Sequence, residues 1–204
     1  VLFALDFMHF TQTRIATIDT YAVFFILAMY SAMVSFLKKD FLHDPLSSLL
    51  RPLAVSGILM GIGIASKWTV AYGAVGLAIL LFVKMGVACR RAAPEEKPAC
   101  RRKILRVCLW CVLLFLAIPF ALYFAAFLPL TTLPHQPSVW GTFINYQVSM
   151  FRYHSQLKAE HFFASPWYEW PFIIKPIWFY YGDRLAESGM VSTISSFGNP
   201  AVSY

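Results

Sequence analysis

Charge is what this sequence has little of. Only 13% of its 204 residues are Asp, Glu, Lys or Arg, about half the share expected of a soluble domain. Acids are especially sparse, ten against seventeen bases. That shortage excludes a solvated globular surface, and the apolar residues run in longer blocks than amphipathic soluble helices show. No internal repeat is present, which argues against a transporter built from duplicated halves. There is no signal peptide and no initiator Met. The chain begins inside an apolar run and stops at Tyr204 with no terminal tail, so it reads as a fragment.

What is present is hydrophobic and aromatic: 59% apolar residues, with nineteen Phe, ten Tyr and six Trp. This is the composition of a polytopic α-helical membrane protein, with rings anchoring helices at the bilayer interface. Val1 to Phe10 reads as the end of a helix, and Thr11 to Thr20 as a polar segment. Tyr21 to Leu37 is uncharged and, with Thr20, about 27 Å long as a helix, enough to cross. Lys38 to Pro52 reads as a loop. Leu53 to Val83 would be roughly 46 Å long as one straight helix, with Lys67 near its centre. A charge at the bilayer centre costs at least about 2.5 kcal/mol. Two shorter helices, 53–65 and 69–83, place Lys67 at an interface and are preferred over one long one. Gly57, Gly61 and Gly63 would then allow close helix packing. Ile104 to Leu128 is a further spanning helix, kinked at Pro119. Pro129 to Trp170 reads as a polar, aromatic loop, and Pro171 to Tyr181 as an interfacial segment too short to cross. Gly198-Asn199-Pro200 reads as a turn. The expected fold is thus an all-α transmembrane bundle with about four complete crossings, a single integral-membrane domain over 1–204.

Between Lys84 and Arg106 lie eight basic residues and two acids, a net +6 of the chain's +7. Residues 84–103 therefore read as a basic cytoplasmic loop, facing anionic lipid head groups rather than nucleic acid. Cys89, Cys100, Cys108 and Cys111 fall in or beside it and should stay reduced. A metal reading of Cys108-x-x-Cys111 lacks a second pair or a nearby His. Alternating from this loop, residues 129–204 form an external region. The hairpin puts Arg14, Asp19 and Lys67 on that same outer face.

Three groups there could carry chemistry. Arg14 and Asp19, with Gln12, are either an interfacial flank or a phosphate clamp with an orienting carboxylate. If helical, Arg14 and Asp19 stand about 140° apart and need not pair. Lys67 in Ser66-Lys67-Trp68 either snorkels to the head groups or neutralises a lipid-linked phosphate. The stretch Gln147 to Trp170 holds Gln147, His154, His161, Trp167, Glu169 and Trp170. His154 and His161 suggest a metal by spacing but have no third ligand, so no metal is assigned. Polar groups beside aromatic platforms would equally suit a sugar or peptide.

Leu5 to Thr20, with Gln12-Thr13-Arg14 and Asp19-Thr20, resembles the Q-[ST]-R-x-x-x-x-D-[ST] segment of the protein O-mannosyltransferases. Gly61-Ile62-Gly63-Ile64-Ala65-Ser66-Lys67-Trp68 is similar to their G-x-G-x-A-[ST]-K-[WY] segment. Tyr153-His154-Ser155, Ser165-Pro166-Trp167-Tyr168-Glu169-Trp170-Pro171 and Gly198-Asn199-Pro200 resemble their later loop signatures. Order and separation match, so the resemblance covers nearly the whole chain.

The resemblance implies a GT-C-type glycosyltransferase working on the outer or lumenal face of a membrane. It would move a mannosyl group, with inversion, from a polyprenyl-phosphate donor to Ser or Thr hydroxyls of a translocating polypeptide. No cofactor within the protein is implied, and no nucleotide-binding domain is needed. The partners implied are membrane lipids, the lipid-linked sugar and the acceptor polypeptide. Arg14 and Asp19 would lie near donor and acceptor, with Lys67 a candidate phosphate contact by physical inference. The family's acidic base belongs to an Asp-Glu pair that no position here matches, and is expected upstream of residue 1. Residues 129–170 are too short to carry the MIR domain of eukaryotic members, which points to the compact bacterial branch and a bacterial plasma membrane. A related polyprenyl-phosphate glycosyltransferase acting on a lipid or a cell-wall glycan would use the same residues, and a non-enzymatic transporter is the remaining reading.

Overall fold

The computed structural model describes residues 7–134, 138–157, 164–172, 174–175, 177–182 and 192–196. In chain order these form α1 (Phe7–Arg14), α2 (Asp19–Leu37), α3 (Leu46–Ser66), α4 (Val70–Arg91) and α5 (Lys97–Val112). A π-helical turn (Leu113–Ala117) leads into α6 (Ile118–Ala125), followed by α7 (Val139–Gln156), β1 (Ile177–Gly182) and β2 (Ser192–Ser196). The chain divides into two compact units, where the composition suggests one domain: Tyr21–Phe151, and Val1–Thr20 with Arg152–Tyr204.

The larger unit holds four helical segments long and apolar enough to cross a membrane: Asp19–Leu37, Leu46–Ser66, Val70–Arg91 and Lys97–Thr132. Each buries one stripe and leaves the rest apolar but uncovered. On α2 the stripe is Ala22, Met29, Met33 and Phe36; on α4 it is Val70, Leu77, Leu81 and Met85. Their outward faces carry Phe24, Tyr72 and Phe82, the last two at 79% and 60% exposure. Apolar surface on that scale belongs against lipid. The chain is an integral membrane protein.

Lipid offers helices no hydrophobic reason to associate, so close packing and interhelical hydrogen bonds must hold them. Ser56 Oγ donates to Met29 O at 3.0 Å, joining α3 to α2. Tyr30 Oη donates to Gly73 O at 2.9 Å, joining α2 to α4. A β-carbon on Gly61 would lie 2.8 Å from Pro119 Cα, and one on Gly63 2.7 Å from Phe25 Cβ. The glycines of α3 therefore do set its distance to neighbours. At Gly57 the neighbour is the carbonyl of Leu114, in the π turn.

That turn is how the bundle absorbs Pro119. A proline clashes with the carbonyl four residues back and lacks an N–H. Here the Ile118 N–H bonds Leu113 O, five residues back, which widens the backbone just before the proline. The expected kink in Ile104 to Leu128 is thus a π bulge.

The preferred break in 53–83 is present: α3 ends at Ser66, Lys67 is extended (φ −154°, ψ 130°), and α4 begins at Val70. Several boundaries move. α3 starts at Leu46 and carries Pro52 within its second turn, so Lys38 to Pro52 is a loop only to Pro45. α1 continues to Arg14, making Thr11 to Arg14 helical. Residues 84–103 are mostly the ends of α4 and α5, with only Ala92–Glu96 between them. Segment 129–170 contains α7, whose start is capped by Ser138 Oγ accepting from Gly141 N at 3.0 Å. Residues 171–181, expected to lie along the interface, enter β1. β1 pairs antiparallel with β2, with a bulge between Trp178 and Tyr180, an element that the all-α expectation omits. Gly198-Asn199-Pro200 lies outside the described residues.

Short connections place 38–45 and 92–96 at one end of the larger unit. Lys103 Nζ donates to Leu42 O and Asp44 O at 2.9 and 2.6 Å, and Lys84 Nζ to Leu37 O at 3.0 Å. At this basic end Asp40 accepts from the His43 ring at 2.8 Å, and from the Leu42 and His43 amides. The His43 ring bond, then those amides, hold the Asp40 carboxyl down at about 2. Asp40, with Glu96 adding at 3.7 Å, raises His43 above 6.5. The signs are opposite. The Asp40 contribution is present above pH 3.8 and lost as pH falls toward 2, whereas that of His43 is present below 6.5 and lost as pH rises through its raised value. Asp40→Asn is expected to return His43 toward 6.5, a shift read by imidazole NMR titration of the protein in detergent; an unchanged His43 titration would contradict the pairing.

Candidate active site

Opposite the basic end, the α3–α4 break meets the α6–α7 region. Trp68 Nε1 donates to Tyr123 Oη at 2.7 Å. Tyr123 Oη in turn donates to Gln147 Oε1 at 2.6 Å. The relay joins three chain segments, and its neighbour along the chain is Lys67. Around it α6 and α7 interlock through aromatic rings. Phe143, on α7 and 7% exposed, meets Tyr123, Phe124 and Phe127 at ring-centre distances of 5.8, 5.2 and 5.3 Å. Trp140 lies 4.5 Å from Phe124. These contacts, worth about 0.5–1.5 kcal/mol each beyond burial, explain why an aromatic stretch that reads as loop folds as a helix. Rings at Trp140, Phe143 and Tyr146 recur three residues apart, within helical spacing, and Ser138 precedes them as a cap. That signal was legible in the sequence.

An apolar groove of about 590 Å³ runs beside the π turn, lined by Met60, Ile64, Phe115, Pro119, Phe120 and Tyr123. A second, of about 380 Å³, shares Met60, Val112, Phe115 and Leu116 with it and continues between α4 and α5. Cys108 and Cys111 line this second groove, their thiols free. Among the described residues, no three His, Cys, Asp or Glu side chains gather where they could hold a metal.

In the other unit, α1 ends at Arg14 and α2 begins at Asp19, so the two are not on one continuous helix. The turn between them is closed by Thr17, whose amide and Oγ1 both donate to Gln12 O, at 3.1 and 3.2 Å. Ala16 takes φ 54°, a left-handed conformation that costs a residue with a β-carbon about 1 kcal/mol. Arg14 is exposed, its guanidinium 5.8 Å over the Phe10 ring, and no acid among the described residues pairs with it. Asp19 opens α2, where the helix dipole favours an anion. Within this unit α1 packs on β2.

His154 stands in the last turn of α7, its ring 5.3 Å from that of Tyr153. Trp167 and Trp170 lie in the short 3-10 turn Trp167–Phe172. In the same turn, Glu169 keeps one carboxylate oxygen, Oε2, buried without a hydrogen-bond partner among the described residues. His161 lies outside the described residues. The structure thus brings Gln147 to the α3–α4 break beside Lys67, and groups Gln12, Arg14 and Asp19 around one turn. It adds Tyr123, which sequence reasoning missed because an aromatic inside an apolar helix gives no polar signal.

Comparison with the curated proteins and with the solved structures gives no match. Two protein-family models do match. Residues 1–133 match the dolichyl-phosphate-mannose-protein mannosyltransferases, and residues 139–204 match the C-terminal four-transmembrane region of protein O-mannosyltransferase. The turn carrying Arg14 and Asp19, the Lys67 break and Tyr123 fall within the first match, and Gln147 and His154 within the second. The chain belongs to the protein O-mannosyltransferase family, and is a glycosyltransferase of the mannosyltransferase type.

Proposed function

We propose that this protein transfers mannose, with inversion, from a polyprenyl-phosphate donor to Ser or Thr hydroxyls of secreted or membrane polypeptides, on the extracytoplasmic face of a bacterial plasma membrane. The observation that carries the reading is the end-to-end asymmetry of the larger unit. The basic ends of α4 and α5 (Arg90, Arg91, Lys97, Arg101, Arg102 and Lys103) gather with the connections 38–45 and 92–96 at one end, while Lys67, Trp68, Tyr123 and Gln147 gather at the other. With the basic end cytoplasmic, the polar cluster faces outward, at the level where a lipid-linked phosphate resides. The two apolar grooves, the larger of them lined in part by Tyr123, suit an isoprenoid chain, since apolar side chains dominate both.

Inverting transfer requires a departing phosphate to be stabilised while the acceptor hydroxyl loses its proton. Arg14 offers a planar, permanently charged fork suited to phosphate oxygens, and Lys67 offers positive charge at the outward end of the larger unit. Asp19 orients a sugar or acceptor hydroxyl. Gln12, His154, His161, Trp167 and Trp170 contribute polar contacts and aromatic platforms to the same substrates. No cofactor takes part.

Mass spectrometry of secreted proteins compares a strain lacking the gene with its parent. Loss of hexose from Ser- and Thr-containing peptides is expected. Unchanged O-hexosylation in every protein would exclude protein as the acceptor, and would favour transfer to a lipid or cell-wall glycan.

A further inference from the structure

The direction of the Trp68–Tyr123–Gln147 relay is forced by its chemistry. An indole N–H can only donate, so the Tyr123 oxygen accepts from Trp68 at 2.7 Å. The single phenolic proton is then left for Gln147 Oε1 at 2.6 Å. Turning the Gln147 amide over would take from the Tyr123 proton the acceptor it has at Oε1. Its Nε2 therefore faces away from Tyr123, and it is buried with no hydrogen-bond partner among the described residues. A buried amide nitrogen with two unused protons is costly, about 1–3 kcal/mol in general. It is an arrangement that waits for an acceptor.

We infer that Gln147 Nε2 is a donor to a phosphate oxygen of a lipid-linked phosphate, and that Tyr123 is the residue positioning it. Two features select that ligand class. Tyr123 is part of the lining of the 590 Å³ apolar groove, so a ligand beside it can carry an apolar chain. Lys67, next in the chain to Trp68, adds positive charge to the same end of the bundle. An anionic oxygen attached to a hydrocarbon chain satisfies both, whereas a free sugar or a peptide carbonyl satisfies neither. This inference rests on the proposed donor chemistry and assigns it an atom.

The test measures binding of a polyprenyl phosphate, and of the polyprenol of equal chain length, to purified full-length protein. Gln147→Glu keeps the acceptor for Tyr123 but replaces the NH₂ with a charged oxygen. It is expected to weaken the phosphate by about tenfold or more, as for a lost hydrogen bond to a charged group, and to leave polyprenol affinity unchanged. Tyr123→Phe preserves the ring packing and frees the amide to rotate; it is expected to weaken the phosphate by about threefold with polyprenol again unchanged. Equal losses for phosphate and polyprenol would mean a packing defect and overturn the inference, as would wild-type phosphate affinity in Gln147→Glu. Should wild-type protein itself bind polyprenyl phosphate no better than polyprenol, the donor reading falls along with it. Wild-type binding and transfer with an unaffected Gln147→Glu sinks only the role of Gln147.

Discussion

Replacing Arg14 by alanine in the full-length enzyme is expected to lower mannosyl transfer by about 10²–10³-fold, the usual cost of removing one preorganised group from a developing anion. The fold should survive. Arg14 is exposed at the end of α1, and its one described contact is the Phe10 ring, so its loss removes little packing. Arg14→Lys restores the charge but not the planar pair of donors, and is expected to recover only part of the rate. Initial rates of transfer, measured beside the thermal unfolding of each variant, separate the two effects. Wild-type turnover in Arg14→Ala would take this side chain out of the site. The backbone that presents it is unusual, since Ala16 holds a positive φ two residues later. Such strain persists where the surroundings impose it, and is frequent at working turns.

The second large effect is expected at Gly57. A methyl group there would meet the carbonyl oxygen and carbon of Leu114, backbone atoms that cannot rotate aside. The cause lies in Pro119. Ile118, the usual α-helical donor to Leu114 O, instead bonds Leu113 O, and Pro119 has no N–H to offer. The Leu114 carbonyl is left leaning on α3, where only a glycine leaves room. Gly57→Ala should therefore destabilise the bundle by about 1–3 kcal/mol, and Gly57→Leu should prevent α3 from seating against the π turn. Gly86 supplies the control, because a β-carbon there meets nothing within 4 Å. Gly86→Ala should be neutral, or stabilising by up to about 1 kcal/mol through helix propensity. Thermal unfolding in detergent reads both; equal stability of the Gly57 and Gly86 variants would refute the packing account.

How far the site was legible follows from what each residue signals alone. Arg14, Asp19 and Lys67 announce themselves as charges at the edges of apolar blocks. His154 stands out because the motif Tyr153-His154-Ser155 holds it, whereas Gln147 reads only as the start of a polar, aromatic loop. α7 was missed because aromatic richness looked like a binding platform, although Ser138 and the spacing of Trp140, Phe143 and Tyr146 are those of a capped helix. The strands were missed for a different reason. Ile177 to Gly182 is apolar and short, and a run of that length carries no period able to separate strand from interfacial helix.

Residue order alone determined that this chain lives in a bilayer, with about four crossings and one strongly basic end. Those properties follow from the length of apolar runs against the thickness of hydrocarbon, and from where the charges interrupt them. It also named the family. The tertiary structure alone decided that Trp68, Tyr123 and Gln147 form one relay, and that Gly57 receives the Leu114 carbonyl. Those contacts depend on how each helix is rotated and how closely it crosses its neighbour, and a hydrophobic pattern in lipid specifies neither, because every face of a spanning helix is apolar.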